Sequence, residues 1–342
     1  MTVLEVKNLT TEFDTEFGKL QAVRDVSFEL QQGEILGIVG ESGSGKSQTM
    51  YSIMGLLAQN GAVKSGEIWF EGRNISTAGL DEKAMKENEK YMRTVRGKKI
   101  SMIFQDPLTF LNPVLKIGTQ IMEPLLLHEK MNKQQARQRA IELMGLVGIP
   151  SPADRLKQYP HQFSGGMRQR IIIAIALACN PQIVIADEPT TALDVTIQAQ
   201  VLEIIKKLTS ESKTSVILIT HDLGVVASMC DRILIMYGGK VMERGTDEEI
   251  FYNAKHPYTQ GLLSSINNPD AEVREKLHPI PGTPPDLLKA PKGCPFVDRC
   301  TQAMKICRMM MPQETELSST QSCSCWELHE YAREKREAVR NG

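Results

Sequence analysis

The chain has almost no net charge: 40 Lys and Arg residues stand against 41 Asp and Glu, a formal balance of −1. Nothing in that balance calls for nucleic acid as a partner. It also lacks any apolar run of membrane-spanning length. The longest, "IIIAIALAC" at 171–179, is about half of the roughly 20 residues a span needs. The opening "MTVLEVKNLTTEFDTEF" is acidic and has no apolar core of the kind a secretory signal carries. The chain is therefore expected to stay in the cytoplasm, where disulfides are disfavoured. No internal repeat and no heptad run is visible. Cysteine is scarce until late: Cys179 and Cys230, both in apolar helical contexts that suit core residues, are the only two before Cys294.

What is present is the composition of a globular protein, 41% hydrophobic and 24% charged over 342 residues, enough for a large core and more than one domain. Strands and helices alternate. "GEILGIVG" (33–40), "IVIAD" (183–187) and "SVILIT" (215–220) read as buried parallel strands, and "MRQRIIIAIALACN" (167–180) as a helix between them. That order predicts a parallel α/β core. Residues 106–163 carry helical spacing with few strand signals and read as an inserted helical piece. Beyond about residue 255 the pattern fades, and "HPIPGTPPDLLKAPKG" (278–293) reads as a linker.

The strongest chemical signal is "GESGSGKS" at 40–47, which fits G-x-x-x-x-G-K-[ST] between a predicted strand and a predicted helix. Gly40, Gly43 and Gly45 let the backbone curl so that the N–H groups around Glu41, Ser42 and Ser44 face phosphate oxygens. Lys46 adds a charge beside the β- and γ-phosphates, and the Ser47 hydroxyl suits Mg²⁺. A strand ending in two carboxylates follows later. Asp187 is placed to hold the Mg²⁺ shell and Glu188 to polarise an attacking water. His221 ends another predicted strand. A GTPase would need Asn-Lys-x-Asp, but the only Asn-Lys pair, at Asn132, continues as Gln134-Gln135.

"FSGGMRQR" (163–170) supplies a second phosphate cradle: a small hydroxyl, two unhindered N–H groups and a helix start. With it the chain resembles the ATP-binding subunits of ABC transporters over about residues 3–250. The resemblance implies a P-loop ABC ATPase core with a parallel sheet, an antiparallel β portion at the N-terminal side and a helical subdomain at about 106–163. It implies an ATP sandwich dimer in which Ser164, Gly165, Gly166 and Met167 act on the partner's ATP. Phe13 takes the place of the adenine-stacking aromatic, with Phe17 as a rival. Gln105 takes the place of the glutamine that senses Mg²⁺ and the attacking water. Asp194 falls in the loop that crosses to the partner, and His221 in the place of the γ-phosphate switch. Mg²⁺ would be held through Ser47, Gln105 and Asp187.

"FQDPLTFLNP" (104–113), "KHPYTQGLL" (255–263), "IPGTPPDL" (280–287) and a "CPFxxRC" run are similar to the oligopeptide and dipeptide importer ATPases, and Met167 to the first of their two ATPases. Phe110 stands where that branch usually has Ser. This implies a second ATPase as partner, two permease subunits, an extracytoplasmic solute-binding protein, and a peripheral place at the cytoplasmic face of the membrane. Nickel is an alternative cargo. Soluble ABC ATPases of translation or repair, which carry paired cassettes or long coiled coils, fit less well, as does a regulatory cassette without turnover. The expected domains are 1–255, the nucleotide-binding domain, and 256–342, a small cysteine-rich C-terminal extension.

Five cysteines gather there: Cys294, Cys300, Cys307, Cys323 and Cys325. No tight C-x2-C pair is present, so the spacing is not that of a zinc ribbon. Four thiolates suit an iron–sulfur cluster or zinc. A 4Fe–4S cluster is what the resemblance implies, with Cys294, Cys300, Cys307 and Cys325 as ligands and Cys323 as the spare. Because this tail lies outside the ATPase motifs, the cluster is expected to act on assembly with the permease or partner and not on ATP chemistry itself.

Overall fold

The computed structural model describes residues 1–104, 110–190, 195–265, 280–330 and 332. In chain order the elements are β1 (Thr2–Thr15), β2 (Gly18–Gln31), β3 (Ile35–Val39), α1 (Lys46–Met54), β4 (Gly61–Phe70), β5 (Arg73–Asn74), α2 (Glu82–Val95) and β6 (Ile100–Ile103). Then come α3 (Ile117–His128), α4 (Lys133–Leu146), α5 (Pro152–Arg155), α6 (Gly165–Ala176), β7 (Ile183–Asp187), α7 (Val195–Ser212), β8 (Ser215–Thr220), α8 (Leu223–Met229) and β9 (Arg232–Tyr237). The chain closes with β10 (Lys240–Thr246), α9 (Asp247–Asn253), α10 (Pro257–Ser264), α11 (Lys305–Met309), β11 (Thr315–Glu316) and β12 (Ser322–Cys323). Two compact units form. One holds Met1–Leu4, Glu29–Ile35 and Leu80–Thr220; the other holds Glu5–Phe28, Leu36–Gly79 and the chain from His221 onward.

In the first unit, β6, β7 and β8 lie side by side and parallel, with Ile100 opposite Ile183 and Ile183 opposite Ser215. Every residue of β7 and β8 is buried, which is why both read as unbroken apolar runs. The helices α3, α4 and α6 pack on one another. Their core is Ile117, Ile121, Leu125, Ala136, Ala140, Leu143, Ile171 and Ile173. The Asn132 side chain starts α4 by accepting the Gln135 N–H at 2.9 Å, while Gln135 accepts the Asn132 N–H at 3.0 Å. The Asn-Lys pair is thus a helix cap. Cys179 donates to the Pro124 carbonyl at 3.5 Å, and burial pushes its thiol up to about 11, as befits a core residue.

In the second unit, β3 runs parallel to β9, with Leu36 opposite Arg232, and β10 returns antiparallel to β9. β12 then pairs antiparallel with β10 (Glu243 opposite Cys323, Arg244 opposite Ser322), and β11 pairs with β12. A second sheet has the order β2-β1-β4-β5. Cys230 is buried, and a Cβ on Gly37 would lie 2.8 Å from its sulfur, so strand β3 and the end of α8 meet there.

Candidate functional site

The loop Gly40–Ser47 leaves the end of β3 and enters α1. Gly43 and Gly45 take φ values of +77° and +99°, a region that strongly favours glycine. A Cβ on Gly40 would lie 2.1 Å from the Met236 carbonyl oxygen, and one on Gly45 2.4 Å from that of Ala22. The loop is therefore seated too tightly for any other residue at those positions. Lys46 is buried, and its ammonium donates to the carbonyls of Gly40 at 2.6 Å and Glu41 at 2.9 Å. Ser44 is buried, Ser42 and Gly43 are exposed, and Ser47 is half-buried in the first turn of α1. Curled N–H groups, a helix start and an ammonium on one loop make an anion cradle. Phe13 is 9% exposed, with ring carbons 2.4 Å from where a Cβ on Gly61 would sit, whereas Phe17 is 86% exposed.

The first unit carries the carboxylates. Asp187 ends β7 and is 1% exposed. Glu188 follows, half-buried, at φ +47°, with its N–H donating to the Ile219 carbonyl at 2.9 Å. A glutamate in left-handed backbone costs of order 1 kcal/mol or more, and such strain gathers at functional sites. Ser164 caps α6 by accepting the Met167 N–H at 3.3 Å, and Ser164 and Gly165 are exposed at the helix start. A Cβ on Gly165 would meet nothing, but one on Gly166 would lie 2.9 Å from Ile197. One residue escaped the sequence reading. Gln169 is 1% exposed, and its side-chain amide donates to the Pro189 carbonyl at 2.8 Å, joining the signature helix to the segment just after Glu188. Its only sequence signal is a polar residue before a run of three isoleucines. His221 is exposed after β8. Gln105 and Asp194 lie outside the described residues.

Cys294, Cys300, Cys307 and Cys325 line one small cavity of about 20 Å³, together with Phe296, Trp326 and His256. Cys323 does not line it: it is fully buried on β12 opposite Glu243. Each of the four lining sulfurs accepts a backbone N–H. Phe296 and Val297 donate to Cys294, Gln302 to Cys300 and Glu327 to Cys325, and the Met304 N–H reaches Cys307 at 3.4 Å. Burial pushes the Cys294 and Cys325 thiols up to about 12, so deprotonation needs a compensating cation. Among the described residues, no group of three or more Cys, His, Asp or Glu side chains is placed to hold a metal ion.

The family model "ABC transporter" matches residues 23–191, and "Oligopeptide/dipeptide transporter, C-terminal region" matches 242–307. The dipeptide transport ATP-binding protein DppD of Bacillus subtilis is 54% identical over 325 residues, covering 95% of this chain and 94% of its own. The chain belongs to the ATP-binding subunits of oligopeptide and dipeptide ABC transporters. The oligopeptide transport ATP-binding protein OppD of the same organism is 53% identical, over 96% of this chain and 89% of its own. A dimeric ATP-binding cassette solved in a post-hydrolysis state with ADP and Pi matches with a TM-score of 0.62 at 29% identity, over 71% of this chain and 98% of its own.

This transporter subunit is thus an ATP-hydrolysing enzyme with the P-loop ABC ATPase fold. Among its described residues no helix is long and apolar enough to cross a membrane. The cysteine segment reaches the nucleotide loop: Arg299, next to Cys300, is bonded to Glu41 of that loop at 2.6 and 3.0 Å. Nothing local in the sequence joins two residues so far apart.

Proposed function

We propose that this ATPase energises peptide uptake through separate permease chains, working at the cytoplasmic face of the membrane beside a second ATPase and an external solute-binding protein. The similarity to two peptide-transport ATPases along nearly their whole length carries the reading. ATP binds on Gly40–Ser47, with Phe13 as the adenine stack and Phe17 as its rival. Glu188 polarises the attacking water, and His221 and Gln105 contact the γ-phosphate region. Ser47, Gln105 and Asp187 would hold Mg²⁺, which when bound neutralises charge on the β- and γ-phosphates. The start of α6, from Ser164 to Met167, serves the ATP of the partner subunit, and Asp194 crosses with it. The helical part near 106–163 is the coupling surface. ATP-driven uptake of labelled peptide by the reconstituted complex tests this; uptake of nickel with no response to peptide would overturn the cargo.

The domain reading is 1–255 for nucleotide and 256–342 for a cysteine-rich extension that holds a 4Fe–4S cluster on Cys294, Cys300, Cys307 and Cys325. Support comes from the cavity those four thiols share and from the N–H groups aimed at their sulfurs, which favour thiolate. Thiols spread around a space suit a polynuclear cluster better than a single zinc ion. When bound, the cluster supplies bonds that staple this proline-rich segment. Iron analysis of anaerobically purified protein is the test. About four irons per chain are expected, lost in Cys300→Ser and kept in Cys323→Ser; stoichiometric zinc would overturn the cluster.

A further inference from the structure

Glutamate at the second position of a phosphate cradle is an odd choice, because its carboxylate adds negative charge where a polyphosphate must bind. Among the described residues, that charge is answered by a single side chain. The Arg299 guanidinium donates to Glu41 Oε2 at 2.6 Å and to Oε1 at 3.0 Å, a two-pronged pair. Its remaining donors go to the Tyr237 hydroxyl at 3.0 Å and the carbonyls of Ile280 at 3.0 Å and Pro281 at 2.9 Å. All five guanidinium N–H groups are thereby used. The side chain is only 7% exposed, and its carbon lies 5.7 Å from the Tyr237 ring centre. Geometry fixed on that many sides leaves Arg299 little freedom to release Glu41.

The backbone of Glu41 is held as well, its N–H donating to the Tyr258 hydroxyl at 2.9 Å. A second route runs through the β9–β10 turn. Gly239 donates to the Ser44 carbonyl of the loop at 3.1 Å, and Pro295, next to Cys294, lies 2.7 Å from where a Cβ on Gly238 would sit. The segment from Cys294 to Cys300 thus touches the loop's first residues through Arg299 and presses on the turn that braces its middle.

We infer that Arg299 is a positioning residue of the nucleotide loop: it neutralises and fixes Glu41, so that the cysteine segment and the phosphate cradle order each other. The inference rests on the reading of Gly40–Ser47 as the ATP site. Coupling between two sites is reciprocal: if the segment favours nucleotide, nucleotide must favour the segment by the same factor.

The test uses the full chain with MgADP as probe. Arg299→Gln is expected to raise the MgADP Kd by about tenfold, within the usual range for coupled sites. Adding Glu41→Ala should recover part of that loss, because it removes the unmasked charge, and the penalty of Arg299→Gln should shrink at high salt. A merely structural arginine would show neither effect. In wild type, MgADP should slow hydrogen exchange at the amides of Cys294, Val297 and Arg299; in Glu41→Ala the slowing should shrink, most at Arg299. Glu41→Ala keeps the other Arg299 contacts, so it carries the test even if Arg299→Gln does not fold. A wild-type Kd in Arg299→Gln, or exchange at 294–300 indifferent to nucleotide in wild type, would overturn the inference. Failure of wild type to bind MgADP at all would instead sink the nucleotide reading, and this inference with it.

Discussion

Glu188 shows how much one residue's backbone can say. At φ +47° it sits where few side chains rest without strain, yet its N–H is tied to Ile219. That combination aims a carboxylate off the tip of a buried strand. Glu188→Gln keeps size and backbone demand and removes the base. Turnover in the assembled complex should fall by about 10²–10⁴ while ATP still binds, measured as steady-state phosphate release against nucleotide affinity. A wild-type rate would exclude Glu188 as the base. Its place at the tip of a buried strand was legible because an unbroken apolar run ends there in two carboxylates. Arg299 was not, because its partner lies 258 positions away and an arginine between cysteines has no local signature.

At the scale of elements, β7 and β8 were read to the residue, since strands buried on both faces are unbroken apolar runs. The N-terminal strands β1 and β2 mix buried and exposed positions, so no such run marks them, and α2 keeps only Asn88, Met92 and Val95 buried among charged residues. The contact between α6 and the segment after β7 was also invisible, because one amide makes it. Gln169→Leu leaves the buried Pro189 carbonyl without its donor, a loss of about 1–3 kcal/mol. Among the described residues Gln169 Oε1 is itself buried without a partner, and leucine removes that defect, which points to the lower end. Thermal unfolding should shift down modestly, and phosphate release should fall with little change in ATP affinity. An unchanged turnover would show that the contact does not steady the neighbourhood of Glu188. His256 caps α10 by accepting the Tyr258 N–H at 3.0 Å, and burial pushes its pKa down to about 3. The unfolded chain protonates near 6.5 and the folded one does not. Its stabilising share is therefore complete above about pH 6.5 and is lost towards pH 3, by up to about 1.4 kcal/mol per unit. Buried Glu243, whose pKa burial raises, works in the opposite sense. Comparing Tm at pH 7 and pH 5 for wild type and His256→Asn isolates the histidine, because asparagine still caps; the variant should lose less on acidification. Parallel losses would refute this.

For the whole molecule, the exposed Ser164–Gly165 end of α6 makes a prediction about two chains. Ser164→Arg should block hydrolysis at the partner's site and leave ATP binding to this chain's own loop intact. Full activity of an isolated subunit, too dilute to associate, would overturn the sandwich. The pairing of β12 with β10 has another consequence, for solubility. β10 is seven residues long, and its outer edge is covered by β12, with Glu243 opposite Cys323 and Arg244 opposite Ser322, and by Ser324, whose N–H donates to the Met242 carbonyl at 2.8 Å. A fragment ending near residue 265 would strip that cover and present bare N–H and C=O groups along a sheet edge, an invitation to pair with another copy. Its mass by light scattering should climb with concentration, where the full chain's should not; a monodisperse fragment would show the edge to be harmless. If that mass climbs, the short C-terminal ribbon is a guard against self-association, and catalysis by cassette-only fragments has to be compared at concentrations low enough to keep them apart.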